Sequence, residues 1–331
     1  MTAFADIVKD PAFSLMERTN SIIDTQYVPH EISDWLNWDT DGIPFRSVSI
    51  EEQNGSISLI ETQPLKAPAP KIEGDSRVIR TLNIPRYPVE VSVDAAEVDG
   101  VRKVGSDNEV EYVVDRLKAK ELKARKSHDA TLEFARAGAV SGLIRDKNGA
   151  TIYDLYSELG VARIDRTIDF SNSATDIVDE LSDIRAQAED ELGGYLINGW
   201  IWLQSGTVNK KTTTHNSVRE SFKYFQTSFA ASDKTKGFTI CDDIQVRNYR
   251  KGKLNGQSFI DEGDSFLLPL VDDFYHTRFA PSLSFPNTPG LPLYVIPGGV
   301  DKYGQVFDEL VESHHISWIS RPRAIIRIRA A

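Results

Sequence analysis

Cysteine is nearly absent. Cys241 is the single one in 331 residues, which leaves no internal disulfide framework and suits a reducing compartment. No cysteine-nucleophile motif surrounds it, so it reads as a small packed side chain. Long hydrophobic runs are missing too. No stretch approaches the roughly 18 apolar residues of a membrane span. The opening MTAFADIVKDPAF lacks the basic start and apolar run of a secretory signal. Positive charge is in short supply, with 38 Lys and Arg against 49 Asp and Glu and a net charge of −11. That balance argues against a main task of gripping phosphates, whose affinity comes from Lys and Arg contacts. It leaves DNA open as a neighbour.

Catalytic and cofactor motifs are missing as well. The chain has no Walker loop, no Gly-x-Gly-x-x-Gly after a strand, no His-Glu-x-x-His and no Gly-x-Ser-x-Gly. No catalytic, metal or cofactor-binding residue is therefore named. His314-His315 is the nearest thing to a metal pair, but adjacent residues on a strand point to opposite faces and no third ligand lies nearby in the sequence. Asp242-Asp243 and Asp272-Asp273 are paired carboxylates without an evident acid–base partner. Asp261-Glu262-Gly263-Asp264 offers too few spaced oxygens for a calcium loop and reads as a turn, as does Gly298-Gly299. No helix-turn-helix and no platform of interleaved aromatic and basic residues is present.

What remains is ordinary globular composition, 26% charged and 40% hydrophobic, with room for about two domains. The first segment reads as an arm. Asp10 caps a helix with Pro11 at its first position, and Ala12, Leu15, Met16, Thr19, Ile22 and Ile23 form one apolar stripe at helical spacing. Tyr27, Trp35, Leu36, Trp38 and Ile43 follow with little regular pattern. So much apolar surface must be covered, either by the same subunit or by a neighbour. Residues 47–62 alternate on a period of two and predict a hairpin turned at Asn54-Gly55, with Val48, Ile50, Ile57 and Leu59 on one face. A polar stretch with Pro64, Pro68 and Pro70 comes next, then a returning strand with Val78, Leu82 and Ile84 on one side. Two strands with such a tip are marginal alone.

Ser106 to Ser141 reads as one long helix, free of Pro, with a lone Gly138 near its end. At 1.5 Å per residue it makes a rod of roughly 50 Å. Arg116, Lys120 and Lys123 share one face of it, either solvated beside acidic neighbours or turned to DNA. Asn148-Gly149 closes a second hairpin. Tyr153 to Leu159 predicts a short helix ended by Gly160. Ser173 with Asp176 predicts a capping box for a helix carrying Ile177, Leu181, Ile184 and Ala188. Residues 195–290 mix short strands with a helix around 218–225. Arg321 to Arg329 predicts a final strand, and the long helix and last strand are expected in one domain with the middle of the chain in another.

The run from Asp129 to Gly160, DATLEFARAGAVSGLIRDKNGATIYDLYSELG, resembles the central signature of the lambda-like major capsid proteins of tailed bacteriophages. The resemblance is collinear over nearly the whole chain. It takes in Ile22–Pro29, Gly42-Ile43, Val48-Ser-Ile-Glu-Glu, Ser58-Leu-Ile-Glu-Thr-Gln-Pro64 and the long helix. Further on it takes in Ala188–Gly193, Phe279-Ala-Pro281, Asn287-Thr-Pro-Gly-Leu-Pro292 and Arg321-Pro-Arg323. Where the family often has Arg-Gly after the Pro matching Pro64, this chain has Leu65-Lys66.

The resemblance implies an α+β chain with the Hong Kong 97-type tailed-phage capsid fold. Its parts are an N-terminal arm (1–45), an extended loop (46–90), a peripheral domain (91–170) with a spine helix at 106–141, an axial domain (171–290) and a return to the peripheral domain (291–331). The implied role is structural: pentamers and hexamers of an icosahedral head enclosing double-stranded DNA, with no enzyme activity, no cofactor and no membrane partner. Scaffold and portal proteins, sometimes a decoration protein, are the implied partners. The implied location is the virion head, assembled in the host bacterial cytoplasm. Subunit contacts are expected at Leu15, Ile22, Trp35, Trp38, Ile50, Leu59, Pro64 and Pro68, and DNA-facing positions at Arg116, Lys120 and Lys123. The alternatives are an encapsulin-like cellular shell of the same fold, or a hydrolase in which residues such as Asp242 and Asp272 converge in a pocket.

Overall fold

The computed structural model describes residues 31–54, 76–97, 109–224, 237–241, 243–249, 253–254 and 257–331. The expected arm helix with Leu15 and Ile22, and the loop tip with Leu59, Pro64 and Pro68, lie outside them. In chain order the first elements are α1 (Glu31–Trp35), β1 (Trp38–Gly42), β2 (Ser47–Asn54), β3 (Ser76–Asn83), β4 (Arg86–Asp94) and the long helix α2 (Glu109–Ser141). Then come β5 (Leu143–Arg145), β6 (Thr151–Asp154), α3 (Leu155–Leu159), β7 (Ile164–Ile168), α4 (Ile177–Leu192) and β8 (Trp200–Gln204). The chain continues with α5 (Gly206–Thr214), α6 (Asn216–Tyr224), β9 (Phe238–Ile240), β10 (Ile244–Asn248), β11 (Lys253–Leu254) and β12 (Gln257–Ser258). It closes with β13 (Asp264–Pro269), β14 (Tyr275–Phe279), β15 (Tyr294–Val300), β16 (Val306–Ile319) and β17 (Ile326–Ala330). Helices and strands are interleaved and the sheets mix parallel and antiparallel pairs, an α+β architecture.

Two sheets carry the fold. The first has the order β1-β14-β16-β15, with β4 on β16 as well. The 14-residue β16 organises it. Residues 307–312 lie between β15 and β4, residues 306–314 all pair with β4, and residues 315–319 pair with β14. The long helix packs across β4 and β16. Its inward side chains Leu117 and Ala124 join Val91, Val93, Val295, Phe307 and Val311 in a compact second core. The second sheet has the order β7-β17-β13-β8-β10-β9. Its central strand β8, WIWLQ, is buried at every position. Such a run, apolar without alternation, belongs to a strand covered on both faces.

Five expectations change. The arm does not extend to residue 45, because from Glu31 onward the chain is core. Ile32 is fully buried and Leu36 and Trp38 nearly so. The Glu133 carboxylate of α2 accepts from the Ile32 amide at 2.7 Å and from the Ser33 hydroxyl at 2.5 Å, and β1 runs parallel to β14. The final strand β17 does not join the sheet of the long helix. It pairs with β13 and β7 in the other sheet, so the return segment divides between the two after Ile319. The partner of β2 is β3, from Ser47↔Asn83 to Asn54↔Ser76, and a turn at Asn54-Gly55 falls outside the described residues. Asp176 itself is the N-cap of α4, accepting from the Val178 amide, so the Ser173 capping box does not form. Gly298-Gly299 is a bulge inside β15 rather than a turn.

At the end of β1 two backbones approach so closely that only glycine fits. A Cβ on Gly42 would lie 2.0 Å from the Gly290 carbonyl oxygen, and one on Gly290 would lie 2.2 Å from that of Phe279. The Ile43 amide donates to the Phe279 carbonyl at 2.9 Å and the Gly290 amide to that of Ile43 at 3.2 Å. Gly42-Ile43 meets Phe279–Pro281 and Asn287–Pro292, two neighbouring segments much later in the chain, in this one knot. Replacing Gly42 or Gly290 by Ala should lower the unfolding free energy by about 2–3 kcal/mol through overpacking. Gly206→Ala, where nothing lies within 4 Å, should be neutral, and denaturant titration of the three proteins checks this. Deleting residues 1–45 should abolish the cooperative thermal transition, because it removes Ile32, Leu36 and Trp38 from the core. Calorimetry reads that result directly.

Candidate functional site: the root of the long hairpin

The root of the β2–β3 hairpin is held to the rest of the subunit by a set of polar contacts. On one face Val48 and Leu82 are buried, with Ile84 beyond them, and Ile50 packs partly against the same core. On the other face Ile79 is 57% exposed. The segment 129–160 forms the seat beneath this root. The Tyr153 hydroxyl accepts from the Asn83 amide at 3.1 Å and donates to the Asn83 carbonyl at 3.0 Å. Arg80 donates to the Glu158 carbonyl at 2.5 Å. The left-handed Gly160 that caps α3 makes room for this, since a Cβ there would sit 2.7 Å from the Arg80 guanidinium.

A buried ionic cluster closes the root from the other side. Glu312 of β16, its side chain 2% exposed, accepts from Arg86 at 2.6 Å and from the Ser282 hydroxyl at 2.5 Å. The His314 ring stands 3.2 Å away. Burial alone would raise the Glu312 pKa, but the Ser282, Arg86 and His314 contacts outweigh it and hold the carboxyl below its usual range. Arg46 donates to the Pro281 carbonyl at 3.3 Å, the Ile84 amide to the Arg46 carbonyl at 2.9 Å and the Ala280 amide to that of His314 at 3.0 Å. Tyr87 stacks on His315 with centroids 4.5 Å apart. Behind them His128 of α2 and His315 are buried, each with an Nε2 that has no hydrogen-bond partner among the described residues. Burial pushes His128 down to about 4 and His315 down to about 3.

The other residues singled out in the sequence are dispersed. Trp38 is inside the subunit, its indole donating to the Ile32 carbonyl at 3.3 Å, with Tyr275 at 5.3 Å and Arg136 over its ring. Trp35 meets Tyr249 edge-on and lies under Arg247. On α2, Arg116 is half-buried and Lys123 exposed. Lys120 is tied to the Ser92 carbonyl at 2.6 Å and to Glu97 at 2.8 Å. Asp272 accepts from Asn37 and Asp243 from Arg185, while Asp242 lies outside the described residues. No group of three or more His, Cys, Asp or Glu is arranged to hold a metal ion among the described residues. Sequence reading missed Phe45, Leu283 and Tyr303, which are 68%, 69% and 76% exposed on loops. An apolar residue set among turn formers was their one available signal.

A family model described as phage major capsid protein E matches residues 14–330. The major capsid protein of Salmonella phage Felix O1 (isolate Felix O1-VT1) is 25% identical over 290 residues, 76% of this chain and 78% of that one. Among solved structures, the capsid of Myoviridae phage XM1 has a TM-score of 0.55 at 10% identity, covering 93% of this chain and 94% of that chain. The mature capsid of bacteriophage PhiM1 has a TM-score of 0.56 at 10% identity, covering 93% and 89%. At such identity the structural likeness speaks to the fold.

The two buried rings make stability fall in acid. Their folded pKa values lie below the ordinary 6.5, so below about pH 6.5 the unfolded chain binds more protons than the native one. The stability they carry is complete above that pH and is lost as the pH falls through about 4 for His128 and about 3 for His315. Denaturant unfolding between about pH 6.5 and about pH 5 should lose up to roughly 1.4 kcal/mol per pH unit for each ring. His128→Gln should flatten the slope, and a wild-type free energy constant over that window would contradict the assignment.

Proposed function

Since the chain belongs to the phage major capsid protein E family and has the Hong Kong 97-type fold, it is a major capsid protein, and we propose how it builds its shell. The subunit associates with itself into pentamers and hexamers of an icosahedral head that encloses double-stranded DNA. The observation that carries this reading is the family match over residues 14–330, which includes both sheets, the long helix and the hairpin. It favours a phage head over a cellular compartment shell. The hairpin supports it physically. Its inward face is held by its own subunit while Ile79 faces solvent, and burying a side chain of that size is worth about 1.5–3 kcal/mol. Phe45, Leu283 and Tyr303 add further apolar surface for neighbours to cover. Contacts pointing in several directions propagate a curved surface instead of closing a small ring.

A scaffold protein guides closure, a portal protein occupies one vertex, and a decoration protein is the remaining candidate partner. Assembly takes place in the host bacterial cytoplasm. The loop tip with Leu59, Pro64 and Pro68, and the arm with Leu15 and Ile22, reach neighbouring subunits. Trp35, Trp38 and Ile50 act indirectly, by fixing the segments that lead there. DNA is met weakly and without base preference through the basic face of α2. Lys120 is already engaged by Glu97, so the log-affinity slope against log salt should be shallower than about −3.

Ile79→Asp tests the shell reading. The variant should keep the wild-type thermal transition, because the position is exposed, yet fail to form closed shells. Light scattering and negative-stain microscopy with scaffold present compare the two proteins. A wild-type chain that stays a monomer or dimer under those conditions contradicts the reading.

A further inference from the structure

His314 lies directly opposite Arg86 in the β16–β4 ladder. Its side chain is 3% exposed and faces Glu312 at 3.2 Å, yet its Nε2 makes no aligned hydrogen bond among the described residues. The charged groups around it come from every element packed there. Arg86 is on β4, Arg46 on the loop entering β2, and Glu312 on β16 itself. His128 of α2 faces the same carboxylate, and the adjacent His315 faces His128 and Arg136 of α2. Arg46 immediately precedes β2 and Arg86 follows shortly after β3. Both guanidinium groups therefore ride on the two ends of the hairpin, whereas His314 belongs to the body.

We propose that the root is a proton-sensitive hinge, in which a proton taken up by His314 loosens the hairpin ends from β16. The step is proton binding from solvent to a ring nitrogen, with no other bond made or broken. One buried carboxylate already pairs with the Arg86 guanidinium, and the Arg46 charge also acts on the His314 ring. A third cation exceeds what Glu312 can match, and the repulsion falls on the two arginines that carry the hairpin. Burial lowers the His314 pKa, Glu312 opposes the shift, and Arg46 and Arg86 add to it. The net lowering means the latch is complete above about pH 6.5 and is lost as the pH falls. Its consequence for the shell rests on the capsid reading above, because a looser root changes the direction in which the hairpin meets its neighbour.

Hydrogen–deuterium exchange of the full-length chain before scaffold is added, at about pH 7.5 and about pH 5 and corrected for intrinsic rates, tests the hinge. The root amides of Ile84, Arg86 and Tyr87 should lose about tenfold or more in protection in the wild type and less than about threefold in His314→Gln, relative to amides of β8 in the same protein. Equal losses in the two proteins, or none in the wild type, overturn the proposal. Should His314→Gln fail to fold, Arg46→Gln serves instead. Removing one repelling cation should shrink the wild-type loss, and an unchanged loss overturns the proposal. Light scattering of the same preparations with scaffold separates the two claims. Normal shells without the exchange effect defeat the hinge alone, whereas a chain that never closes a shell at either pH defeats the capsid reading.

Discussion

A carboxylate cannot be left unpaired in the interior of a protein, and Glu312, with its side chain 2% exposed, sets the conditions for the rest of this fold. Leaving such a charge without partners costs on the order of 3–5 kcal/mol. Its partners must therefore be delivered, and two of the three arrive from other elements of the chain. Arg86 comes at the start of β4, Ser282 from the loop after β14, and His314 from the next-but-one position on β16. Satisfying one side chain thus fixes where the hairpin ends, where the loop after β14 passes and how β4 lies on β16. The Gly42–Gly290 contact secures the same loop from its far end.

The division of labour between the two sheets follows. The β8-centred sheet is apolar through its middle, and its strand directions and buried tryptophans supply bulk stability. The β16-centred sheet carries the long helix, the hairpin root and the buried histidines. The segment from Glu31 to Gly42 ties the two together, because Trp38 packs on Tyr275 while Glu133 receives both the Ile32 amide and the Tyr249 hydroxyl. Burial raises the Tyr249 pKa, and the Glu133 charge adds to it. The phenol therefore stays a donor to that carboxylate at any ordinary pH.

Much of this was legible in the sequence, for identifiable reasons. The long helix has no Pro and one late Gly. The α4 stripe repeats Ile177, Leu181, Ile184 and Ala188, and all four are buried. Gly160 ends α3 in the left-handed conformation expected of it. Local pattern carries local structure. What failed was long-range. Nothing in the run Trp35–Ile43 says that it forms a parallel edge strand, because parallel pairing depends on a partner more than two hundred positions away. The last strand carries no mark of which sheet it joins. The signature 129–160 was readable as a family mark, while its physical task of seating Asn83 and Arg80 is a long-range contact that shows only in the fold. The buried Glu312 had no signal at all, since a Glu beside Ser and His on a strand looks like a solvated position.

The central claim is that the root is one rigid unit in every subunit and that the shell is built by what extends beyond it. A cryo-electron microscopy reconstruction of closed shells at neutral pH tests this most directly. The account predicts that every independent subunit keeps the Glu312–Arg86–Ser282 contacts and the Gly42–Gly290 packing, with differences between subunits confined to the hairpin beyond residues 50 and 79. Subunits whose roots differ from one another, with Glu312 separated from Arg86 in some of them, would contradict it.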